Sequence, residues 1–437
     1  MNEQDLLVTP IYFLLFLVVG FTYSKKYNPI LRSYFLMALF LRMICSVLLG
    51  VIYQFNYKGG DTFNYFEVGS YNIWQAYLNE PMAGLSLLFS DGTLTPTNFK
   101  YAVKIWFFKD EASMFVSKVA SIIDLLTFHT YSATSLFFAL ISFACSWKLY
   151  ISLVRHYPQM EKQFAISILF IPSVIFWSSG ILKDTLVIGA MFLFLAAILE
   201  ISYSKKGRFS WMIALVIALL VIYKIKLYIL LVLIPALLTS IFYQTWESVR
   251  SAMMRYLFIL PVVVVLILCI WTATMIISDR SKYALGNIAN TSKITAYDIG
   301  FISGRGAGSG YNLGEQDGTI GGQLRLFPKA IIASFFRPFI WEVNSPIMLL
   351  SALENILILI LFLLVTARVV RISDLSRREI SVLMFCFLFA ISFAFAVGVS
   401  TYNFGTLSRY RIPMVPALIT GLLLIIRKPN NVIKSKD

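Results

Sequence analysis

The stretch that decides the fold is FWSSGILKDTLV, residues 176–187, with Lys183 and Asp184 side by side. It lies inside a run from Phe164 to Tyr203 that is otherwise almost wholly apolar. Those roughly 40 residues make about 60 Å of helix at ~1.5 Å per residue. A bilayer core is only about 30 Å thick. The run therefore reads as two crossings folded back on each other, with SSGILKD at the tip. Ser178, Ser179 and Gly180 permit the turn. Lys183 and Asp184 then reach the aqueous surface at the head of the returning helix, where the helix dipole favours Asp184.

The rest of the chain repeats this pattern. Of its 437 residues 59% are hydrophobic and 14% charged, against about 25% charged in soluble domains. Apolar runs of membrane-crossing length recur from end to end, too long for membrane β-strands. The expected fold is all-α: one integral membrane domain over 1–437, a polytopic helical bundle of about eleven spans. They fall near 6–24, 30–53, 132–154, 164–180, 184–203, 210–224, 227–243, 256–276, 346–367, 380–398 and 411–427. The N-terminus lacks the basic flank of a signal peptide and reads as an uncleaved helix. The four cysteines lie in apolar runs without a CxxC pair, and with two histidines no disulfide framework, zinc site or histidine-rich metal centre is indicated.

The net charge of +15 suits nucleic acid or the positive-inside rule. Its distribution favours the second, because basic clusters recur in alternate loops: Lys25/Lys26, 155–162, Lys205/Lys206/Arg208, Arg250/Arg255, 368–378 and the tail after Arg427. Placing these loops in the cytoplasm puts the N-terminus outside and the C-terminus inside. Nucleic acid is not an expected partner; membrane lipids are. Segment 113–130 has polar residues Ser117, Ser121 and Asp124 at i, i+4, i+7, which suits a helix in the interface or against the bundle.

With that topology the unusual polar motifs share the outer side. A first long outer loop, 54–112, opens with YKGGDTFNYF, and a second, 277–345, is Gly-rich at 304–322 and holds FRPFIWEVN. Asp61 in the first fits a general base, a divalent-cation ligand or a helix cap, with Phe63, Tyr65 and Phe66 as platforms for sugar or lipid. Mg or Mn at Asp61 is the one cofactor these residues would suit. Lys183, Lys224 and Lys226 sit on two outer tips against the charge bias. They fit either solvated turns or one anion pocket in which Asp184 takes part. Arg305 and Arg325 flank the Gly-rich stretch, which reads as a linker or a mobile lid. It is neither a P-loop nor a dinucleotide fingerprint. Arg337 and Glu342 fit an interfacial segment with a snorkelling arginine or a substrate contact. Arg409 and Arg411, at the head of the last span, have the fork geometry that grips phosphate. No HExxH, GxSxG or Ser-His-Asp arrangement is present.

The phrases GGDTFNY, FWSSGILKD, FRPFIWE and LSRYRIP resemble those of the polyprenyl-phosphate-dependent membrane glycosyltransferases of the GT-C type. The layout is also similar to that of O-antigen and exopolysaccharide polymerases. The resemblance implies a place in a bacterial cytoplasmic membrane, a lipid-linked sugar or oligosaccharide as substrate, Asp61 as the acid that activates the acceptor hydroxyl, and Lys183, Arg337, Arg409 and Arg411 as holders of the lipid phosphate. Fixed cations would stabilise charge developing on the leaving phosphate. The acidic loop follows the second helix here and the first in GT-C enzymes, a placement that leaves the polymerase reading open. A transporter of lipid-linked glycans, with Arg32, Arg42, Glu354 and Asn355 as intramembrane polar groups, and a non-catalytic envelope subunit are the alternatives from other classes.

Overall fold

The structure, a computed structural model, describes residues 3–204, 207–248, 285–304, 310–367 and 375–427. Among them the regular elements are helices, and the only extended pairing is an isolated antiparallel bridge between Gly310 and Asn403. The chain forms two compact units, residues 1–227 and 228–437. The first contains α1 (Glu3–Ser24), α2 (Pro29–Val51), α3 (Glu111–Thr127), α4 (Tyr131–His156), α5 (Lys183–Tyr203) and the start of α6 (Arg208–Ser248). The second contains the end of α6 and α7 (Leu285–Gly304), α8 (Phe327–Phe336), α9 (Pro346–Ala367), α10 (Arg377–Ser400), α11 (Phe404–Tyr410) and α12 (Val415–Ile426).

Among the described residues seven helices are long and apolar enough to cross a membrane: α1, α2, α4, α5, α6, α9 and α10. The pair α11 and α12, bent by 69°, makes an eighth if it counts as one span. The protein is a multi-pass membrane protein, and the eleven expected spans differ from this set in particular places. The 256–276 span lies outside the described residues. The 164–180 span is not a continuous helix: Glu161–Phe164, a π-turn Ala165–Leu169 and Pro172–Trp177 replace it. Pro172 has no N–H to donate and disfavours helix at the residue before it, so Ile171 is extended (φ −74°, ψ 120°). The spans expected at 210–224 and 227–243 are joined in α6, with one residue of non-helical backbone at Lys226 (φ −144°, ψ 71°). The first long loop is mostly helical, with Tyr71–Asn79 and Pro81–Phe89 as its largest pieces.

In the first unit α1, α2 and α5 pack on α4. Close approach depends on small residues: Ser132, Ala133, Ser135, Ala139, Ser142 and Ser146 of α4 are all buried. The SSG turn of the opening motif is buried too, not at a wet tip. Arg42 of α2 holds it. This fully buried guanidinium donates to Ser142 Oγ (2.7 Å), Ser178 Oγ (2.6 Å) and Ser146 Oγ (2.9 Å), tying α2, α4 and the turn together. Helix α3 is amphipathic in reverse. Its polar residues Ser113, Ser117, Ser121 and Asp124 are buried, while Ile122, Leu125 and Leu126 are exposed, a distribution that suits an apolar solvent on that face.

In the second unit α8 lies against α10, and α10 against α12. Gly398 is the close point: a Cβ there would sit 2.6 Å from the Ala330 carbonyl oxygen. An apolar groove of about 600 Å³ runs along α1 and α2 of the first unit, past Phe13, Leu14, Val47 and Leu48.

Candidate functional site

The lysines of the two expected tips do meet, at one end of the first unit, but carboxylates meet them there. Lys183, in the first turn of α5, lies 3.0 Å from Asp110 Oδ2. Its neighbour Asp184, 2% exposed, lies 2.5 Å from Lys226 at the break in α6. Lys224 pairs with Glu111. Lys118 of α3 donates to the Ser90 carbonyl at 2.6 Å. Burial raises the Asp110 carboxyl, but the Ser113 hydroxyl and the Lys183 ammonium outweigh it and hold it below the usual range. Burial lowers Lys118, and Lys224 beside it acts the same way against the attraction of Glu111. The set is thus a lattice of ion pairs rather than the bare anion pocket that Lys183, Asp184, Lys224 and Lys226 suggest in sequence. Asp110 and Glu111, which complete it, gave no sequence signal beyond a cap-like position at the head of α3. The Asp110 side chain does accept from the Ala112 N–H.

The GGDTFNYF motif lies against the same unit. Gly60 (φ +123°) places its Cα against the Tyr53 ring, where a Cβ would come within 3.0 Å. Asp61 follows as the exposed first residue of the short helix Asp61–Phe63. The aromatic residues are not open platforms: Phe63, Tyr65 and Phe66 are all buried. Phe63 stacks on Tyr131 and Phe66 on His129, and the Lys183 ammonium stands 5.7 Å from the Tyr65 ring centre. Their apolar area holds the 61–70 segment down instead of offering a surface to sugar.

In the second unit the arginines gather at a break in a helix. Between α11 and α12 the chain turns through 411–414, and Arg411 at the turn is fully buried. Its Nη1 donates to the carbonyls of Ser334 (3.3 Å) and Arg337 (3.4 Å). Glu354 of α9 provides the counter-charge at 3.5 Å, a distance and alignment that leave Arg411 Nε and Nη2 without hydrogen bonds. Asn355 beside it donates to the Pro338 carbonyl (3.2 Å) while its Oδ1 has no partner. Arg337, with 22% of its side chain exposed, is forked onto Glu342, Nε to Oε1 at 2.9 Å and to Oε2 at 3.1 Å. Its guanidinium lies 5.4 Å from the Tyr311 ring centre and 5.0 Å from that of Phe404. Burial raises the Glu342 carboxyl, but Arg337 and the Phe339 N–H outweigh it and hold it below the usual range.

Arg409 is half-buried on α11, and Arg325 is exposed at the end of the helix Ile320–Arg325. Arg305 lies outside the described residues. The Gly-rich stretch expected as linker or lid is held down over its described part. Tyr311 N–H donates to the Tyr402 carbonyl (3.1 Å), the Tyr311 hydroxyl bonds Thr401 (2.9 Å), and Gln316 donates to Val399 O and Tyr402 Oη, both at 2.8 Å. Among the described residues no group of three His, Cys, Asp or Glu side chains converges as cation ligands. Comparison with family models, curated proteins and solved structures finds no match.

Proposed function

We propose that this chain is a membrane glycosyltransferase that uses a sugar carried on a polyprenyl phosphate, at the outer face of a bacterial cytoplasmic membrane, in building a cell-surface glycan. The observation that carries the reading is Arg411. A buried guanidinium with two nitrogens unsatisfied is costly, and such a group beside a broken membrane helix is the kind of donor set that receives an anion. Arg337 shares the 334–337 backbone with it and is partly open to solvent. A phosphate oxygen can displace Glu342 from the Arg337 fork, since guanidinium binds both anions in the same geometry. Charge building on the leaving phosphate is then met by fixed donors, the usual source of large rate effects. Transfer of single sugars and joining of repeat units draw on the same donor chemistry, and product length separates them.

The test is transfer from a polyprenyl-phosphate-linked sugar by protein reconstituted in liposomes. Arg411→Lys keeps the charge and loses the fork, and the expected loss is ~10²–10³-fold in turnover, the scale of removing one transition-state donor. Arg337→Ala should chiefly raise KM for the lipid donor. Wild-type protein that transfers no sugar from any lipid-linked donor, or Arg411→Lys turning over at the wild-type rate, overturns the reading.

A further inference from the structure

Two side chains of the second unit hold the same short piece of backbone and have polar atoms left over. Arg411 Nη1 donates to the Arg337 carbonyl (3.4 Å), and Asn355 Nδ2 donates to the next one, that of Pro338 (3.2 Å). A carbonyl only accepts, so the Asn355 amide is turned with Nδ2 toward Pro338 and Oδ1 away from it. Asn355 is 2% exposed, and among the described residues nothing donates to its Oδ1. Arg411 is fully buried, and its Nε and Nη2 are likewise without hydrogen bonds. Those two nitrogens make one edge of the guanidinium, where the N–H bonds run side by side. Glu354, the neighbour of Asn355 on α9, lies 3.5 Å from Nη2 and balances the charge without completing a hydrogen bond there. Buried groups left in this condition cost free energy. Their pattern is also specific: a two-pronged donor beside an acceptor, both fixed to the 337–338 backbone. The surface is close, since the Arg337 side chain is 22% exposed and Ile340 and Trp341 after it are exposed.

We infer that Asn355 is a specificity-determining residue, whose Oδ1 accepts from a hydroxyl or amide N–H on C2 of a sugar while the anomeric phosphate of that sugar lies on the Arg411 fork. The inference rests on the reading of Arg411 proposed above and uses residues of the second unit alone. The two partners match group by group. Phosphate oxygens accept, and they fit parallel N–H bonds. In an aldose the anomeric carbon that carries the phosphate has two neighbours in the ring. One is the ring oxygen, which has no hydrogen to give. The other is C2, so the donor nearest the phosphate is the substituent on C2. The substrate class is therefore a glycosyl phosphate with a hydroxyl or acylamino group at C2. A site that buries an acceptor rejects the analogue that lacks the donor, because the acceptor then stays unpaired. A phosphate without its sugar would meet the fork and leave Oδ1 unsatisfied.

The test pairs the protein with matched donors in liposomes: one sugar on a polyprenyl phosphate, and the 2-deoxy form of the same sugar on the same lipid. Asn355→Leu keeps the branched outline of the side chain and removes the acceptor. It should lower the preference for the first donor, measured as the ratio of kcat/KM values, by ~10–100-fold, the scale of one buried acceptor left unpaired. The intrinsic reactivity of the two sugars cancels in that comparison. Lost packing, or the lost bond to Pro338, slows both donors equally, so the ratio reads the contact itself. Calorimetric titration of wild-type protein in detergent gives a readout apart from turnover. The probes are glucosyl, galactosyl, mannosyl and N-acetylglucosaminyl phosphate, with 2-deoxyglucosyl phosphate and inorganic phosphate for comparison. At least one of the first four should bind ~10–100-fold tighter than either of the last two. A preference unchanged in folded Asn355→Leu protein overturns the inference and leaves the proposed function standing. So does a titration in which none of the four exceeds 2-deoxyglucosyl phosphate, which also decides the matter if Asn355→Leu does not fold. If wild type transfers no sugar from any donor, the proposed function fails, and the titration alone then upholds or overturns the role of Asn355.

Discussion

The pair Asp184–Lys226 allows a sharp test of how the first unit is held together. At 2.5 Å, two unit charges attract by roughly 6–7 kcal/mol at an effective dielectric of ~20. Both side chains are out of water, 2% and 9% exposed, so most of that attraction offsets their lost hydration. Removing one partner leaves the other charge buried without this counter-charge. Asp184→Leu or Lys226→Met alone should therefore each cost about 3–5 kcal/mol. The double variant removes both charges and keeps most of the volume, and should lie within about 1–2 kcal/mol of wild type. The assay is thermal unfolding in detergent micelles, read by tryptophan fluorescence. For a unit of this size about 2–4 °C accompanies each kcal/mol, so the single variants should melt roughly 6–20 °C early and the double variant close to wild type. If the two losses add to within ~0.5 kcal/mol, the residues are independent and the ion pair does not hold α5 to the break in α6.

Ser178→Ala takes one of three serine hydroxyls from the buried Arg42 guanidinium and should cost about 1.5–3 kcal/mol, as a melting shift; an unshifted midpoint would mean that the SSG turn is held some other way. Gly398→Ala drives a methyl to 2.6 Å from a backbone oxygen that cannot swing aside, and should cost at least ~1–3 kcal/mol, whereas alanine at Gly405, whose nearest neighbour is a side-chain oxygen at 3.1 Å, should cost less. Asp110 and Glu342 are both held below their ordinary values, so what they contribute is fully present above about pH 4 and is lost as pH falls through the lowered native values. Acid titration followed by intrinsic fluorescence should show less destabilisation between about pH 4 and 2 in Asp110→Asn than in wild type, since that variant has no carboxyl to protonate at this position.

Helix class, membrane residence and the breaks were legible in the chain, because each follows from local chemistry. Apolar runs of ~20 residues need only be counted. The interruptions near 180 and 226 follow from runs too long for one crossing, and the polar stripe of α3 from its spacing. Lys183 and Lys226 drew notice because charge is rare in such surroundings. Asp184 drew notice too, but its pairing with Lys226 and that of Lys183 with Asp110 did not, because an ion pair between residues 42 or 73 positions apart leaves no trace in sequence order. Tertiary structure alone decided that Asp110 neutralises Lys183, that Phe63 and Phe66 are packing rather than platform, that Arg42 closes on three serines, and that His129 stands between two aromatic rings against Asp124. The division has one physical cause. Hydropathy is a property of each residue and its neighbours along the chain, whereas the worth of a charge or an imidazole depends on what the fold brings within hydrogen-bond reach.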